Sequence, residues 1–323
     1  MTKAVRLHTH GGPEVLKWEQ VPMPRPGPNE ALIRHEAIGL NYIDVYFRTG
    51  LYKAALPATL GMEGAGEVLA IGENVTTVNP GDRVAYAGGA LGAYSTERVI
   101  NADKLVKLPD AIDSKTAAAM MLQGLTAYFL LHRTYKLQSG QTILVHAAAG
   151  GVGQILCQWA TQMGAKVIGV VSSEAKAEIA RDNGAAHVII GYKTLAADVR
   201  RITNGAMLPV VYDGVGRDTF DASLDCLAPL GLMVSFGNAS GPVPPVDLAT
   251  LNAKGSLFLT RPGLATYMAT HKDLTTGAAA LFDVVLSGAV KINVNQVFQL
   301  ENAAQAHIAL EARQTTGSTV LVP

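Results

Sequence analysis

The chain has only two cysteines among 323 residues, Cys157 and Cys226. So sparse a set excludes a disulfide framework and a four-cysteine zinc site, and it fits a reducing compartment. A net charge of either sign is also missing: Lys+Arg and Asp+Glu both number 26, with a sequence pI near 7.1. A surface built for nucleic acid or anionic lipid carries a basic excess, so neither partner is expected. No apolar run approaches the roughly 18 residues that a membrane span requires. Residues 1–10 show no apolar segment after a basic start, so no signal peptide is expected and the cytoplasm is the expected address. The eight histidines fall nowhere at metal-ligand spacing on a convincing helix, so no metal is expected from them.

What is present is apolar. Hydrophobic residues make up 49% and charged residues 16%, enough for a large core and for two domains. Up to about residue 110 the chain reads as short strands broken by Pro and Gly. Ala31–Ala37 and Gly66–Ala70 alternate; Pro80-Gly81-Asp82 turns into Arg83-Val84-Ala85. From Ser114 the texture becomes helical, over Lys115–Met121 and again over Gly124–Tyr135. Strands and helices then alternate. The strands are Thr142–Ala147, Lys166–Val171, His187–Ile190, Pro209–Asp213, Gly231–Phe236 and Ser256–Thr260. Their nearly unbroken apolar runs predict an α/β doubly wound parallel sheet covered on both faces. After a helix-rich stretch to Ser287, the chain reads strand (Ile292–Leu300), helix (Ala303–Ala312), strand (Ser318–Val322). That short unit cannot bury its own faces and is expected to return to the N-terminal β domain.

The first of the parallel strands runs into Ala148-Ala149-Gly150-Gly151-Val152-Gly153, and a helix is expected from Gln154 to Met163. Strand, glycine turn and helix N-terminus together form a dinucleotide phosphate site: small residues admit the pyrophosphate, and free N–H groups bind it. Ala148 stands where the G-x-G-x-x-G fingerprint has its first glycine. The second strand ends in Ser172-Ser173, where an NAD site carries an acid for the ribose 2′-OH. Two hydroxyls with Lys176 nearby suit a 2′-phosphate and favour NADPH. Glu174 dissents unless it points to solvent, and Lys176 reads equally as a solvated lysine. Tyr192, after the third strand, is placed to lie along the adenosine.

The chain resembles the zinc-independent quinone oxidoreductases of the medium-chain dehydrogenase/reductase superfamily, the zeta-crystallin-like branch. The resemblance runs over the whole length. It is carried by Gly11-Gly12-Pro13-Glu14-Val15-Leu16, the tract Asn41–Tyr52, Pro80–Val84, Ala90–Tyr94, the glycine turn, Tyr212–Gly216 and Gly231–Gly237. It implies a GroES-like β domain over residues 1–122 and 262–323 and a Rossmann domain over residues 123–261. Zinc alcohol dehydrogenases place a cysteine within the tract where Asn41–Asp44 stand, and a His-Glu pair where Met62-Glu63 stand. This chain keeps neither the cysteine nor the histidine, so the resemblance is to the metal-free branch.

Without a Lewis acid an alcohol is hard to activate, whereas a quinone is already electrophilic. The protein then needs mainly to hold nicotinamide and quinone face to face, with donors near the developing phenolate. The resemblance implies that Asn41 meets the nicotinamide ribose or carboxamide and that Tyr46 and Tyr52 flank the quinone. It implies that Gln123 and Thr126 line the same site, and that Phe236, Gly237 and Asn238 lie along the nicotinamide half. It also makes Arg313 a cofactor-contacting arginine, although Arg313 reads equally as a cation closing a helix C-terminus before Gly317. Core packing is the rival reading of the two tyrosines, and Arg48 and Gly50 speak against a buried stripe there. No general acid is identified, and solvent is expected to supply the proton. The expected activity is NADPH-dependent quinone reduction. The alternatives are reduction of an alkenal or enone C=C bond, and a nucleotide-binding structural or RNA-binding protein of the zeta-crystallin type. Family members assemble as dimers or tetramers, so a homodimer or homotetramer is expected, with Ser256–Thr260 as the joining edge.

Overall fold

In a computed structural model describing residues 1–323, the chain begins with β1 (Thr2–Leu7), β2 (Leu16–Val21) and β3 (Glu30–Leu40). Next come α1 (Tyr42–Thr49), β4 (Ala58–Thr59), β5 (Glu63–Ile71), β6 (Arg83–Ala87), β7 (Glu97–Asn101) and β8 (Val106–Lys107). The helix α2 (Ser114–Phe129) leads into the alternating part: β9 (Thr142–His146), α3 (Gly151–Gln162), β10 (Lys166–Val171), α4 (Glu174–Asp182), β11 (Ala185–Ile190) and α5 (Leu195–Ile202). That part continues with β12 (Leu208–Asp213), α6 (Phe220–Leu224), β13 (Leu227–Ser235), α7 (Leu248–Ala253) and β14 (Phe258–Thr260). The chain closes with α8 (Leu264–Tyr267), α9 (His271–Leu286), β15 (Val294–Gln299), α10 (Ala303–Glu311) and β16 (Ser318–Val322).

It divides into two units. The first is Met1–Leu125, Met268–Leu286 and Ile292–Pro323; the second is Thr126–Tyr267 with Ser287–Lys291. In the first unit a seven-stranded sheet runs β15-β16-β3-β5-β6-β8, with β7 also on β3. The C-terminal segment joins it because Thr319, Val320 and Leu321 pair antiparallel with Leu40, Gly39 and Ile38. A smaller sheet, β2-β1-β4, packs over the same core of Leu7, Ile33, Ile38, Val68, Tyr86, Tyr94 and Leu321. The alternation read at Ala31–Ala37 is the inward face of β3: Ala31, Ile33 and Ala37 are fully buried.

The second unit is a six-stranded sheet of order β11-β10-β9-β12-β13-β14, parallel throughout. Order reverses between β9 and β12, the topological switch point at which such sheets bind ligands beyond their strand ends. Buried Leu144, Ile168, Val211 and Met233 from four neighbouring strands fill one core. The two helices expected over Lys115–Met121 and Gly124–Tyr135 are one: α2 runs unbroken through Gly124 and ends in a π turn over Leu130–Thr134. Gly124 is there for packing, since a Cβ would sit 2.5 Å from a Leu281 methyl of α9. No helix is long and apolar enough to cross a membrane.

Candidate active site

In the second unit, α3 starts on Gly150, which has an extended backbone and no side chain to cap the helix. The N–H groups of Gly151, Val152 and Gly153 therefore open the first turn without a side-chain acceptor, the arrangement that takes a phosphate. Gly153 is fixed by sterics: a Cβ there would overlap Ala147 O and lie 2.8 Å from Ala148 Cα. Buried Gln154 ties the turn from below, donating to Ala149 O at 2.8 Å. Ala148 is fully buried, and its neighbour across the sheet is Gly169 of β10, where a Cβ would come within 2.9 Å of the Ala148 methyl. The missing first glycine is thus offset by a glycine on the next strand.

Beyond β10, Ser172 is exposed, while Ser173 Oγ caps α4 by accepting from Lys176 N at 3.4 Å. Glu174 turns along its own helix to Arg181, with contacts of 3.3 and 3.4 Å. This pairing lies within α4 and is solvent-exposed. Tyr192 is half-buried and packs against the core of the sheet. On the other side of the switch point, Asp213 is fully buried and accepts from Val215 N (2.7 Å), Gly216 N (3.1 Å), Thr219 Oγ1 (2.7 Å) and Ser223 Oγ (3.1 Å). His146 Nε2 meets Ser223 Oγ at 2.8 Å, and burial lowers this imidazole's pKa. The loop after β12 is knotted by these bonds, and the loop after β13 lies on it: a Cβ on Gly237 would overlap Gly214 O. Arg261 braces the second loop, donating to Ser235 O at 2.8 Å and Gly237 O at 3.3 Å. From sequence, neither Asp213 nor Arg261 is singled out as a site residue. Asp213, inside the Tyr212–Gly216 motif, binds backbone and hydroxyls 2 to 10 residues on, whereas Arg261 reaches back 26 and 24 residues. Thr126, at the start of this unit, is buried.

In the first unit, Asn41 precedes α1 and is buried. Its backbone N–H donates to Asp44 Oδ2 at 2.9 Å, closing the helix start. Its side chain turns to Glu63, with Nδ2 to Oε2 at 2.6 Å, and its Oδ1 accepts from Gln123 Nε2 at 3.2 Å. Glu63 also takes Leu122 N–H at 2.7 Å. Glu63 and Asp44 are both fully buried, and desolvation raises them to about 8 and about 7. Tyr94 OH spans Asp44 (3.1 Å) and His307 Nε2 (3.0 Å), and His307 Nδ1 meets Arg48 Nη1 at 3.2 Å.

Arg48, expected to interrupt a buried stripe, is itself 1% exposed. It forks onto Glu311 at 2.7 and 2.8 Å and donates to Gly11 O at 3.1 Å. Gly50, in the left-handed region at φ 82°, reverses the chain so that Tyr52 packs edge-on against Tyr46, with centroids 5.2 Å apart. Tyr46 is buried and Tyr52 half-buried, so packing accounts for much of Tyr46. Arg313 is exposed, two residues past α10. Its N–H bonds Leu310 O at 3.1 Å and that of Gln314 bonds Ala309 O at 3.1 Å, so Arg313, at φ 57°, is the left-handed residue ending the helix. Gly317 lies beyond that cap. An arginine where glycine is favoured costs about 1 kcal/mol.

No group of three His, Cys, Asp or Glu side chains is placed to hold a metal ion. Both cysteines are buried, and burial pushes their thiols up to about 12.

Residues 151–282 match the family model for a zinc-binding dehydrogenase, and residues 27–110 match that for an alcohol dehydrogenase GroES-like domain. A quinone oxidoreductase of Pseudomonas aeruginosa is 53% identical over 100% of both chains. The crystal structure of Escherichia coli quinone oxidoreductase complexed with NADPH is similar at a TM-score of 0.97 and 48% identity, covering 99% of this chain and 100% of that one. A 2-haloacrylate reductase of a Burkholderia species is 43% identical over 100% of this chain and 99% of its own.

Proposed function

Since the chain belongs to the zinc-independent quinone oxidoreductases of the medium-chain dehydrogenase/reductase superfamily, we propose that it reduces quinones at the expense of NADPH. The observation that carries this reading is the uncapped first turn of α3, with hydroxyls rather than an acid at the end of β10. Bound there, NADPH supplies the hydride. Gly150–Gly153 hold its pyrophosphate, Ser172, Ser173 and Lys176 its 2′-phosphate, and Tyr192 its adenosine. Phe236, Gly237 and Asn238 support the nicotinamide half, on a loop made rigid by Arg261 and Asp213. In the first unit, Asn41 orients the nicotinamide and Tyr46 and Tyr52 flank the acceptor. Arg313 contributes a cation to the cofactor. Solvent completes the protonation, since the histidine of the Arg48 network is held at about 3 by burial and stays neutral.

The 43% identical 2-haloacrylate reductase favours a second substrate class, an activated C=C bond beside a carbonyl or carboxylate. A conjugated acceptor is common to both. Titration with NADPH and NADH, followed by turnover on a quinone and on an enone at matched NADPH, separates them. Lys176→Glu should raise the KM for NADPH by about 10–100-fold and leave NADH nearly unchanged, the loss of one charge-assisted bond. An unchanged ratio would remove the 2′-phosphate from this site. The homodimer or homotetramer reading is supported by the edge strand β14, where Phe258 is 59% and Leu259 37% exposed. The two free, buried cysteines support the cytoplasm.

A further inference from the structure

Four buried side chains in the first unit form a hydrogen-bond chain with a direction. Ser318 Oγ donates to Gln123 Oε1 (2.8 Å), Gln123 Nε2 to Asn41 Oδ1 (3.2 Å), and Asn41 Nδ2 to Glu63 Oε2 (2.6 Å). Glu63 Oε1 is occupied by the Leu122 N–H at 2.7 Å. Each carboxamide could be turned over. Reversed, Asn41 would donate to Gln123, and Gln123 to Ser318 Oγ. Ser318 would then keep its proton for Ala119 O, already 2.9 Å away. At the Ser318 end the reversed chain is satisfied at least as well as the present one. Only Glu63 opposes it, and only when ionised: a carboxylate accepts and cannot donate, whereas the acid form, which burial favours up to about pH 8, can donate to Asn41 Oδ1. Space also holds Glu63 in place: Gly39 has no side chain, and a Cβ there would overlap Glu63 Oε2 and Ala118 O.

We propose that Glu63, when ionised, is a positioning residue that sets the direction of the Asn41 carboxamide, and through it that of Gln123. Each carboxamide has two N–H groups and an oxygen with two lone pairs, and the chain uses one donor and one acceptor of Asn41. What remains for a ligand is one N–H and one lone pair, and their order along the amide is the order Glu63 imposes. The consequence for catalysis rests on the reading of Asn41 as a nicotinamide contact; the direction of the chain does not. Glu63 thus keeps a function at a position where the zinc dehydrogenases carry a His-Glu pair, with Met62 now beside it.

The test is Glu63→Gln. Glutamine can take the Leu122 N–H on its oxygen and must then donate to Asn41, so the chain reverses with every member bonded. The variant should fold and melt close to the wild type. In the apo-protein above about pH 9, where wild-type Glu63 is ionised, the side-chain NH2 resonances of Asn41 and Gln123 should differ from the wild type and move together. When Asn41→Asp is combined with Glu63→Gln, the carboxylate introduced after Leu40 accepts from both sides, so the Gln123 resonances should return towards their wild-type positions. Above about pH 9, turnover of Glu63→Gln should fall about 10-fold or more below the wild type, as expected when a donor and an acceptor trade places against a ligand. An unfolded Glu63→Gln, or an Asn41 signal that moves while Gln123 stays, would overturn the proposal. Resonances that move together while NADPH affinity and turnover stay unchanged would uphold the direction-setting role and remove Asn41 from the nicotinamide site.

Discussion

The two units treat polar groups in opposite ways. The Rossmann unit leaves the start of α3 uncapped, so that a ligand completes it. The β unit ties the side chains of its two networks to one another: Asn41, Glu63, Gln123, Ser318, and separately Asp44, Tyr94, His307, Arg48 and Glu311; the buried Asp44 Oδ1 is left without a partner. One half is built to be finished by what it binds, and the other is largely tied together before anything arrives. A site of the first kind loses function when its backbone is crowded. A site of the second kind loses stability when a partner is removed, because the survivor is left buried and unpaired.

The largest effect is expected from Gly153→Val. Its Cβ would overlap Ala147 O, so the turn must open, and NADPH affinity should drop by roughly two orders of magnitude or more by cofactor titration. The β unit should keep its cooperative unfolding; loss of both together would mean that the two units do not differ as described. Next comes Arg48→Met. This removes a guanidinium that is 1% exposed and leaves His307 and Glu311 without their donor. Glu311 is 34% exposed and partly rescued by water, so about 2–3 kcal/mol of stability should go rather than the upper range for a buried pair. Urea unfolding measures it, with NADPH affinity changed little. The smallest effect sharpens the comparison from within the β unit. Arg313→Gly relieves a left-handed arginine and should gain about 0.5–1 kcal/mol of stability while weakening NADPH binding. A variant both less stable and equally tight would show that Arg313 serves the helix end alone.

The two units also differ in how far they can be read. The strands of the parallel sheet follow from unbroken apolar runs, and Lys166–Val171 and Ser318–Val322 have the expected bounds. The glycine turn is legible because its chemistry lies within a few consecutive residues. The β unit's network is not, because its partners stand far apart: Asn41 and Gln123 are 82 residues apart, and Arg48 and Glu311 are 263. Arg48 reads from sequence as a break in an apolar stripe, since a lone arginine gives no sign of a carboxylate at the other end of the chain. Glu63 stands out only as the remnant of a zinc-type pair. Gly124 suggests a break between helices, and the close approach of Leu281 that explains it has no local signature.

The exchange at Ala148 and Gly169 bears on how this turn could be redesigned. The methyl of Ala148, in the turn after β9, fills space that a Cβ on Gly169 of β10 would need, so the two positions are a single unit of substitution. Alanine at Gly169 alone would crowd the Ala148 methyl at 2.9 Å, and Ala148→Gly with Gly169→Ala should relieve that contact, leaving a tight one of 3.3 Å to the Ala185 methyl as the measure of how far the turn can be redesigned.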